Sequence, residues 1–471
     1  MSVTPFVLGV FQSISPQAAL SGASWLHPEN TAIDYLDISY WTSMAAKLEA
    51  ANLDFLFLAD SYGLPTVDGD VPDYAIREAI QLPTGDPFTI VSAIAAVTSS
   101  LGLVVTSSTV FEPAYASARR FATLDHFTRG RMGWNVVTGA GAASAAALFG
   151  EEMIAHDRRY DMADDYLDLS YRFLEGSWEE GAVVRDRARR TYAEPSMLHR
   201  VDHEGPFVSA HGQFPVEPSP QRVPTLFQAG SSGRGREFAA THAECVFLQG
   251  TTVPKVAASV DDIRTRAEAQ GRTRDAIRIL VGLTIITAPT RAEADRRYAE
   301  FQSFSTDETA AAQYAHNTGL DLLALDPDLP LPAVGAEQGR TNVERFQGTE
   351  EAPAPTVREI LDEMKRRGLR GLVLVGTPEE VADEMAAYAE ATGVDGYLLE
   401  PYLVPGTYDD LIDLVLPVLR ERGLAPLPSA AATLRERLFP AGTAHLPAGH
   451  PGAAQRVPSA TTDTPSEETS R

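Results

Sequence analysis

Residues 101–138, which read LGLVVTSSTVFEPAYASARRFATLDHFTRGRMGWNVVT, contain one full repeat of the pattern that decides the fold. A short apolar run, Leu101–Thr106, is followed by a helical segment, Ala114–Phe127, and then by a second apolar run, Met132–Val137. Apolar runs of strand length that alternate with helical segments are typical of parallel βα units. The stretch therefore predicts two parallel strands joined by a helix.

The same alternation continues in both directions along the chain. The candidate strands are Phe6–Phe11, Phe55–Ala59, Leu101–Thr106, Met132–Val137, Thr225–Ala229, Cys245–Gln249, Ile277–Ile286 and Gly396–Glu400, with Leu372–Val375 as a short extra element. Helical patterns lie between them at Asp34–Ala51, Phe88–Thr98, Ala114–Phe127, Arg158–Leu174, Gly233–His242 and Pro378–Thr392. In the first helix, Leu36, Tyr40, Met44 and Leu48 are expected to share one face.

Eight βα units on one chain predict an α/β fold, a (β/α)8 TIM barrel with insertions after barrel strands. A doubly wound open sheet remains the alternative. No Gly-x-Gly-x-x-Gly follows the first strand, so a dinucleotide-binding domain of the Rossmann type is disfavoured.

The barrel is expected to occupy residues 1–439 as a single domain. Residues 178–223 and 303–352 lack a long helical period, and we interpret them as insertions, where lids and substrate pockets are usually found. Residues 440–471 are rich in Pro, Ala, Ser and Thr and are predicted to form a disordered tail.

Composition limits the class of partner. The chain has 39 Lys and Arg against 64 Asp and Glu, a net charge of −25, which argues against nucleic acid or an anionic membrane as a partner. Its single cysteine, Cys245, excludes an intramolecular disulfide and a cysteine-based metal site. No signal peptide and no apolar run of membrane-spanning length is evident, so we expect a cytoplasmic protein.

In a barrel, the chemistry lies at the carboxyl ends of the strands. Asp60, Thr106 and Asn135 lie at three such positions, although each alone is equally typical of a cap or turn. The run Gly230-Ser231-Ser232-Gly233 follows another strand and opens a helix, where free N–H groups and two hydroxyls favour a phosphate. An ordinary serine cap is the simpler interpretation of Ser231 and Ser232.

His156 and Tyr160 are four residues apart near the start of a long helix. If the helix begins early enough, both can reach a ligand over the barrel mouth; a solvated helix start is the alternative. The ten histidines show no metal-ligand spacing such as His-Glu-x-x-His, so no metal is expected. Serine hydrolase and phosphate-loop motifs are also absent.

The chain resembles the bacterial-luciferase-like flavin monooxygenases, in particular the group of nitrilotriacetate monooxygenase, dibenzothiophene-sulfone monooxygenase and pristinamycin synthase. The matching stretches are FLFLADSYG (55–63), EPAYASARRFATLDHFTRGRMGWNVVTG (112–139), HDRRYDMADDYL (156–167), YAEPSMLHRVDHEGPFVSAHG (192–212), PSPQRVPTLFQAGSSGRGREFAATHAECVF (218–247) and GTPEEVADEM (376–385). Two departures lie near the expected mouth. Residues 146–150 read Ala-Ala-Leu-Phe-Gly where the family has Ala-Arg-Asn-Phe-Gly, and Leu26 stands where an Arg often precedes the histidine.

The resemblance implies an enzyme that binds reduced FMN. It assigns the phosphate to Tyr160 and Ser231, with Ser232 beside them, and further flavin contacts to Asp60, Thr106, Asn135 and His156. It also implies a separate NAD(P)H-dependent flavin reductase and a homodimer or homotetramer.

The main hypothesis is an oxygenase that uses reduced FMN and dioxygen to oxidise a small nitrogen- or sulfur-containing organic substrate through a flavin peroxide. His27, after the first strand, is the candidate catalytic proton donor, with a structural loop histidine as the alternative. A deazaflavin-dependent dehydrogenase or reductase on the same barrel and a non-catalytic flavin-binding protein remain alternatives. A metal hydrolase is disfavoured.

Overall fold

A computed structural model describes residues 4–18, 23–139, 142–230, 232–250, 252–332, 343, 346–347, 353–367, 371–426, 428 and 431–457. The strands are β1 Val7–Ser13, β2 Phe55–Ala59, β3 Gly102–Ser108, β4 Met132–Val137, β5 Val183–Asp186, β6 Thr191–Ala193, β7 Arg200–Glu204, β8 Ser209–Gln213, β9 Thr225–Gln228, β10 Cys245–Leu248, β11 Arg278–Thr287, β12 Leu372–Gly376 and β13 Gly396–Leu399.

The α-helices lie mainly between these strands. They are α1 Ile38–Ala50, α2 Asp73–Arg77, α3 Phe88–Val97, α4 Ala114–Phe127, α5 Ala142–Phe149, α6 His156–Leu174, α7 Gly233–His242, α8 Val253–Ala269, α9 Arg291–Ser303, α10 Asp307–Thr318, α11 Val357–Arg367, α12 Pro378–Thr392, α13 Gly406–Asp410, α14 Leu416–Glu421 and α15 Leu434–Leu438. Among the described residues, no helix is both long enough and apolar enough to cross a membrane.

Eight parallel strands close into a barrel in the order β1-β2-β3-β4-β9-β10-β11-β13. Three pairings close the ring: β10 pairs with β11, β11 with β13, and β13 with β1. The (β/α)8 barrel is thus confirmed, and the open sheet is wrong. The extra element Leu372–Val375 is β12, which pairs with the far half of β11 outside the closed ring.

Alternate side chains of the strands fill two separate cores. Inward-facing aromatic residues, including Phe11, Phe55, Phe57, Phe227 and Phe247, form the barrel interior. The outward-facing residues pack against the helices in a second, larger cluster. This alternation follows from the two-residue period of a strand, which presents successive side chains to opposite faces.

The N-terminal end of the barrel is closed by the short helix α15. Leu434 and Leu438 join the aromatic cluster of the interior. A Cβ at Gly102 would lie 2.5 Å from Leu434 Cδ1, so this position of β3 has room for glycine alone. Helix α15 therefore closes this end of the barrel, and we call this end the plug end. Gly102 on β3 leaves the space that Leu434 occupies.

The predicted disordered tail differs from the structure over residues 440–457. Leu446 and His450 are buried, and Pro451–Gln455 forms a 3-10 helix. His450 Nε2 lies 2.8 Å from the carbonyl oxygen of His242, which ties this segment to α7. The segment thus packs on the barrel, and residues 458–471 lie outside the described part of the chain.

Two further predictions need correction. Leu36 precedes α1 and is 80% exposed, because Asp37 caps the helix through the N–H of Ser39 and the preceding turn is a separate 3-10 helix. Residues 303–352 contain a regular helix, α10, which a capping box at Thr306 begins. Residues 178–223, predicted as an insertion without a long helical period, carry two antiparallel hairpins, β5–β6 and β7–β8.

Candidate active site

Three of the predicted site residues lie at the carboxyl ends of neighbouring strands. Thr106 and Asn135 are direct register partners on β3 and β4. Asp60 immediately follows β2, the strand on the other side of β3. Asp60 and Thr106 line one pocket, together with Tyr62 and Phe111. The structure therefore brings these predicted residues to one side of the barrel mouth.

Asn135 carries a buried acceptor that other described groups do not satisfy. Its Nδ2 donates to Thr106 Oγ1 at 3.0 Å, which fixes the orientation of the amide. Its Oδ1 has no hydrogen-bond partner among the described residues, and the same is true of the buried Ser107 Oγ. Buried polar atoms in native proteins are usually paired, so unpaired ones beside a pocket indicate a ligand.

Asp60 is a carboxyl group whose protonation changes near neutral pH. Burial, opposed by the backbone hydrogen bond from Ser61 and aided by the charges of Asp86 and Glu112, raises the pKa of Asp60 to about 7. The N–H of Ser61 donates to Asp60 Oδ1 at 2.8 Å. Asp60 can therefore give up or accept a proton at the mouth of the barrel.

A second group of predicted residues lies at the start of α7. Ser232 is the N-cap, and its Oγ accepts from the N–H of Gly235 at 3.0 Å. The first N–H groups of a helix lack partners within the helix and favour an anion. Ser231, predicted to bind phosphate in the same run, lies outside the described residues.

At this end of the site, the hydroxyl of Tyr160 lies close to two glycines, Gly230 and Gly235. A Cβ at Gly230 would lie 2.6 Å from Tyr160 Oη, and one at Gly235 would lie 2.8 Å from it. Burial raises the pKa of Tyr160, while side-chain hydrogen bonds with Thr138 and Ser232 lower it. The phenol thus keeps its proton and can donate a hydrogen bond beside the helix start.

His156 and Arg234 flank Tyr160. Helix α6 begins at His156, and its ring lies 5.3 Å from the ring of Tyr160, so the two share the side of the helix that the spacing predicts. The guanidinium of Arg234 lies 5.6 Å from the Tyr160 ring and is paired with Asp161 at 3.1 Å and with Asp164. Asp161 and Asp164 on α6 therefore already neutralise the charge of Arg234.

Gln228 adds a further group that sequence reasoning missed. Its Nε2 would lie 2.3 Å from a Cβ at Gly230, and its buried Oε1 has no partner among the described residues. It is the residue after Phe227 on β9, so it could have been found as another strand-end polar side chain.

His27 is not among the residues that line the pocket of Asp60 and Thr106. Its Nε2 is 3.9 Å from Glu300 Oε1 on α9, and its ring lies 5.7 Å from that of Phe304. Its Nδ1 accepts from the N–H of Glu29 at 3.2 Å. The structure thus packs His27 against the insertion after β11, not against Thr106 or Asn135.

The sequence analysis missed His316, a histidine within the insertion 303–352. His316 on α10 is buried, and burial lowers its pKa to about 4, so it is neutral at pH 7. It lies one turn from Ala312, which packs against Ala75 and Ile80 in the loop after β2. The capping box at Thr306 is a local signal for a helix start, and it could have identified the helix that carries His316.

The site offers hydrogen-bond donors at the start of α7. On β3 and β4 it offers acceptors, such as Asn135 Oδ1, that have no partner among the described residues. A planar heteroaromatic ring with a phosphate on a flexible arm would use both ends. Within the part of the chain that the structure describes, no three His, Cys, Asp or Glu side chains gather in a way that could hold a metal ion.

Comparisons with known proteins agree with this geometry. The model of the family described as luciferase-like monooxygenase matches residues 8–396. The dimethyl-sulfide monooxygenase of Hyphomicrobium sulfonivorans is 41% identical over 436 residues, which are 93% of this chain and 91% of that protein. The long-chain alkane monooxygenase of Geobacillus thermodenitrificans is 42% identical over 434 residues, 92% of this chain and 94% of that protein.

A solved structure is similarly close. A riboflavin lyase, determined with modified FMN and the substrate riboflavin, has a TM-score of 0.92 and 44% identity, and the match covers 97% of this chain and 100% of that one. The group named in the sequence analysis is confirmed, since dibenzothiophene-sulfone monooxygenase, nitrilotriacetate monooxygenase and pristinamycin IIA synthase are 33%, 31% and 33% identical to this chain.

Proposed function

Because the chain belongs to the luciferase-like monooxygenase family, we propose that it is the oxygenase component of a two-component system. In this proposal a separate NAD(P)H-dependent reductase supplies reduced FMN, and the enzyme uses it with dioxygen to oxidise a small organic substrate. The observation that carries the proposal is the glycine-floored cradle of Tyr160 at the start of α7, on the same barrel mouth as the unpaired Asn135 Oδ1.

The phosphate of FMN would be held at the α7 end. The proposed donors are the hydroxyls of Tyr160 and Ser232, that of Ser231 outside the described residues, and the first N–H groups of α7. His156 would support Tyr160 through its ring contact. Close approach of a phosphate needs backbone without side chains, which Gly230 and Gly235 provide.

The ring system of FMN would lie against β2, β3 and β4. Asn135 Oδ1 would accept from a ring N–H, Thr106 would hold the Asn135 amide, and Asp60 would contact the ring at the edge of the pocket. Bound reduced FMN supplies the activation of dioxygen, so the protein has to bind, orient and exclude water.

The insertion 303–352 is the proposed lid. Its helix α10 packs on the loop after β2, where Ala312 meets Ala75 and Ile80. His27, held near α9, remains the proposed proton donor, and the buried, neutral His316 on α10 is proposed as a hydrogen-bonding group of the lid. For the insertion 178–223, which binds α6 through His203 and Asp165 at 2.8 Å, a lid role stays a prediction.

The substrate in this proposal is a small nitrogen- or sulfur-containing molecule. The relative at 41% identity is named for dimethyl sulfide, which supports the sulfur option. Riboflavin is a second candidate substrate, since the lyase at 44% identity was solved with it. Deazaflavin enzymes share 14% identity with this chain and support the fold alone.

Anaerobic titration with reduced FMN tests the proposal. We expect micromolar or tighter binding, weakened about tenfold in Tyr160→Phe because one hydrogen bond to the phosphate is lost, and unchanged in Tyr192→Phe. Tyr192 is a suitable control because it is an exposed tyrosine on the β5–β6 hairpin. If neither oxidised nor reduced FMN binds, the monooxygenase proposal is wrong.

Turnover separates the two substrates. With a flavin reductase, NADH and dioxygen added, we expect dimethyl sulfide to increase oxygen uptake that is coupled to product. Loss of riboflavin without any coupled oxidation of a sulfide would favour the lyase alternative. Tight FMN binding with neither reaction would favour a non-catalytic flavin-binding protein.

We also propose a homodimer or homotetramer. Light scattering of the purified full chain measures this directly, and a monomer at micromolar concentration would contradict it.

A further inference from the structure

An aromatic surface formed by residues that follow β2, β3 and β4 borders the pocket. We call Tyr62, Phe111, Leu148 and Phe149 the apolar rim. The rings of Phe111 and Phe149 stack at 4.8 Å, and the Tyr62 ring meets that of Phe149 edge-on at 5.1 Å. These side chains come from the segments that follow β2, β3 and β4, and Leu148 and Phe149 end helix α5.

Helix α5 brings the exposed half of the rim to the pocket. Ala145 lines the pocket, and Leu148 and Phe149 lie three and four residues further along the same side of the helix. Leu148 is 66% exposed and Phe149 is 47% exposed. The helix reads AASAAALF and therefore offers no charged side chain to an incoming molecule.

The charges near the rim are mainly negative. Asp60 lines the pocket, and the charges of Asp86 and Glu112 are close enough to raise the pKa values of Asp60 and Tyr62. Arg120 is the cation nearest to this group in the described contacts, and it is bound to Glu112 at 3.3 Å. Glu112 also accepts a hydrogen bond from Tyr62 Oη. The charge of Arg120 is thus balanced, while Asp86 adds negative potential and Asp60 adds more once the pH exceeds its pKa of about 7.

The two sides of the mouth therefore differ in the charge that they accept. The α7 side presents N–H and O–H donors and suits the phosphate of FMN. The rim presents aromatic faces and carboxylates, which attract apolar surface and repel anions. In the proposed function FMN occupies the α7 side, which leaves the rim side for a substrate.

We propose that the apolar rim selects an uncharged, mainly apolar substrate and discriminates against carboxylates and sulfonates. This inference rests on the proposed function, because it assumes that FMN occupies the α7 side of the same mouth. It makes Leu148 and Phe149 specificity-determining residues of the reaction.

A matched pair of probes tests the selection. Thioanisole and 4-(methylthio)benzoate share the same sulfur and ring and differ by one carboxylate. On the FMN-loaded protein, we expect calorimetry to give at least about tenfold tighter binding of thioanisole, and added salt to narrow the gap as it screens the repulsion. Equal binding, tighter binding of the benzoate, or no binding of either probe would overturn the selection.

Charge variants locate the effect on the rim. Leu148→Lys and Phe149→Lys should each improve the relative affinity for the benzoate by about threefold to tenfold, since a cation then faces the carboxylate. Val97→Lys and Phe127→Lys are the matched controls, because these exposed side chains end α3 and α4 at the opposite end of the barrel. An equal change in rim and control variants would contradict the assignment.

The outcomes distinguish this inference from the proposed function. If reduced FMN binds and the probe preference is absent, the selection by the rim is wrong and the flavin site stands. If reduced FMN does not bind at all, the proposed function fails before the probes are added.

Discussion

At the N-terminal end of the barrel, the enclosed guanidinium of Arg435 meets Glu244 at 2.6 and 2.9 Å, whereas at the C-terminal end the buried Asn135 Oδ1 has no partner among the described residues. Arg435 also donates to the carbonyl oxygen of Val223 at 2.9 Å. The buried charge of Arg435 is thus paired within the protein, whereas Asn135 keeps an open acceptor. The comparison indicates that the plug end serves stability and the mouth serves a ligand.

The largest expected change in stability comes from a substitution at the plug end. Glu244→Gln leaves the Arg435 charge buried with a weaker partner, and it should lower the free energy of unfolding by about 3–5 kcal/mol. Urea unfolding of the full chain measures this. Arg274→Gln is the control, since Arg274 pairs with Asp261 and Glu268 in exposed positions, and it should cost less than about 1 kcal/mol. Equal losses in the two variants would refute the contrast.

A smaller effect is expected at the mouth. Asn135→Ala should weaken reduced FMN binding about tenfold, because a hydrogen bond to the ring is lost. The free energy of unfolding without FMN should change little, since Asn135 makes one side-chain bond, to Thr106. A variant that unfolds easily but binds FMN normally would show that Asn135 belongs to the core rather than to the site.

The pH dependence of stability separates the two ends by its sign. At the mouth, the pKa of Asp60 rises from 3.8 to about 7, so the folded state binds more protons in this range and stability falls as pH increases through it. Near the plug, the pKa of His450 falls from 6.5 to about 3, mainly through burial. The unfolded state then binds more protons, so His450 makes stability rise with pH from about 3 to 6.5.

Two variants measure these contributions one at a time. Asp60→Asn should remove the decrease in the free energy of unfolding between about pH 4 and pH 7. His450→Gln should reduce its increase between about pH 3 and pH 6.5. Urea unfolding at a series of pH values gives both slopes. A His450→Gln protein with the slope of the unaltered chain would mean that this histidine is protonated in the fold.

The sequence predicted the barrel well because a parallel strand carries its own signal. The strands β2 and β4 begin and end at the predicted residues, and the other six barrel strands differ at their ends by one or two residues. Each is a run of apolar residues that local pattern alone makes visible. The strand-end positions of Asp60, Thr106 and Asn135 followed from the same pattern.

What the sequence could not predict depends on tertiary contacts. Residues 440–457 have the composition of a disordered segment, but Leu446 and His450 are buried against the barrel. The apolar rim joins Tyr62, Phe111 and Phe149 from distant parts of the chain, and no local period connects them. The position of His27 against α9 likewise depends on how the insertion folds back.

The measurement that tests the central claim most directly is a crystal structure of the protein with FMN, determined under anaerobic reducing conditions. We predict that the phosphate lies within hydrogen-bond distance of Tyr160 Oη and the first N–H groups of α7, with a ring N–H at Asn135 Oδ1. FMN bound elsewhere, or bound with its phosphate toward the apolar rim, would contradict the account.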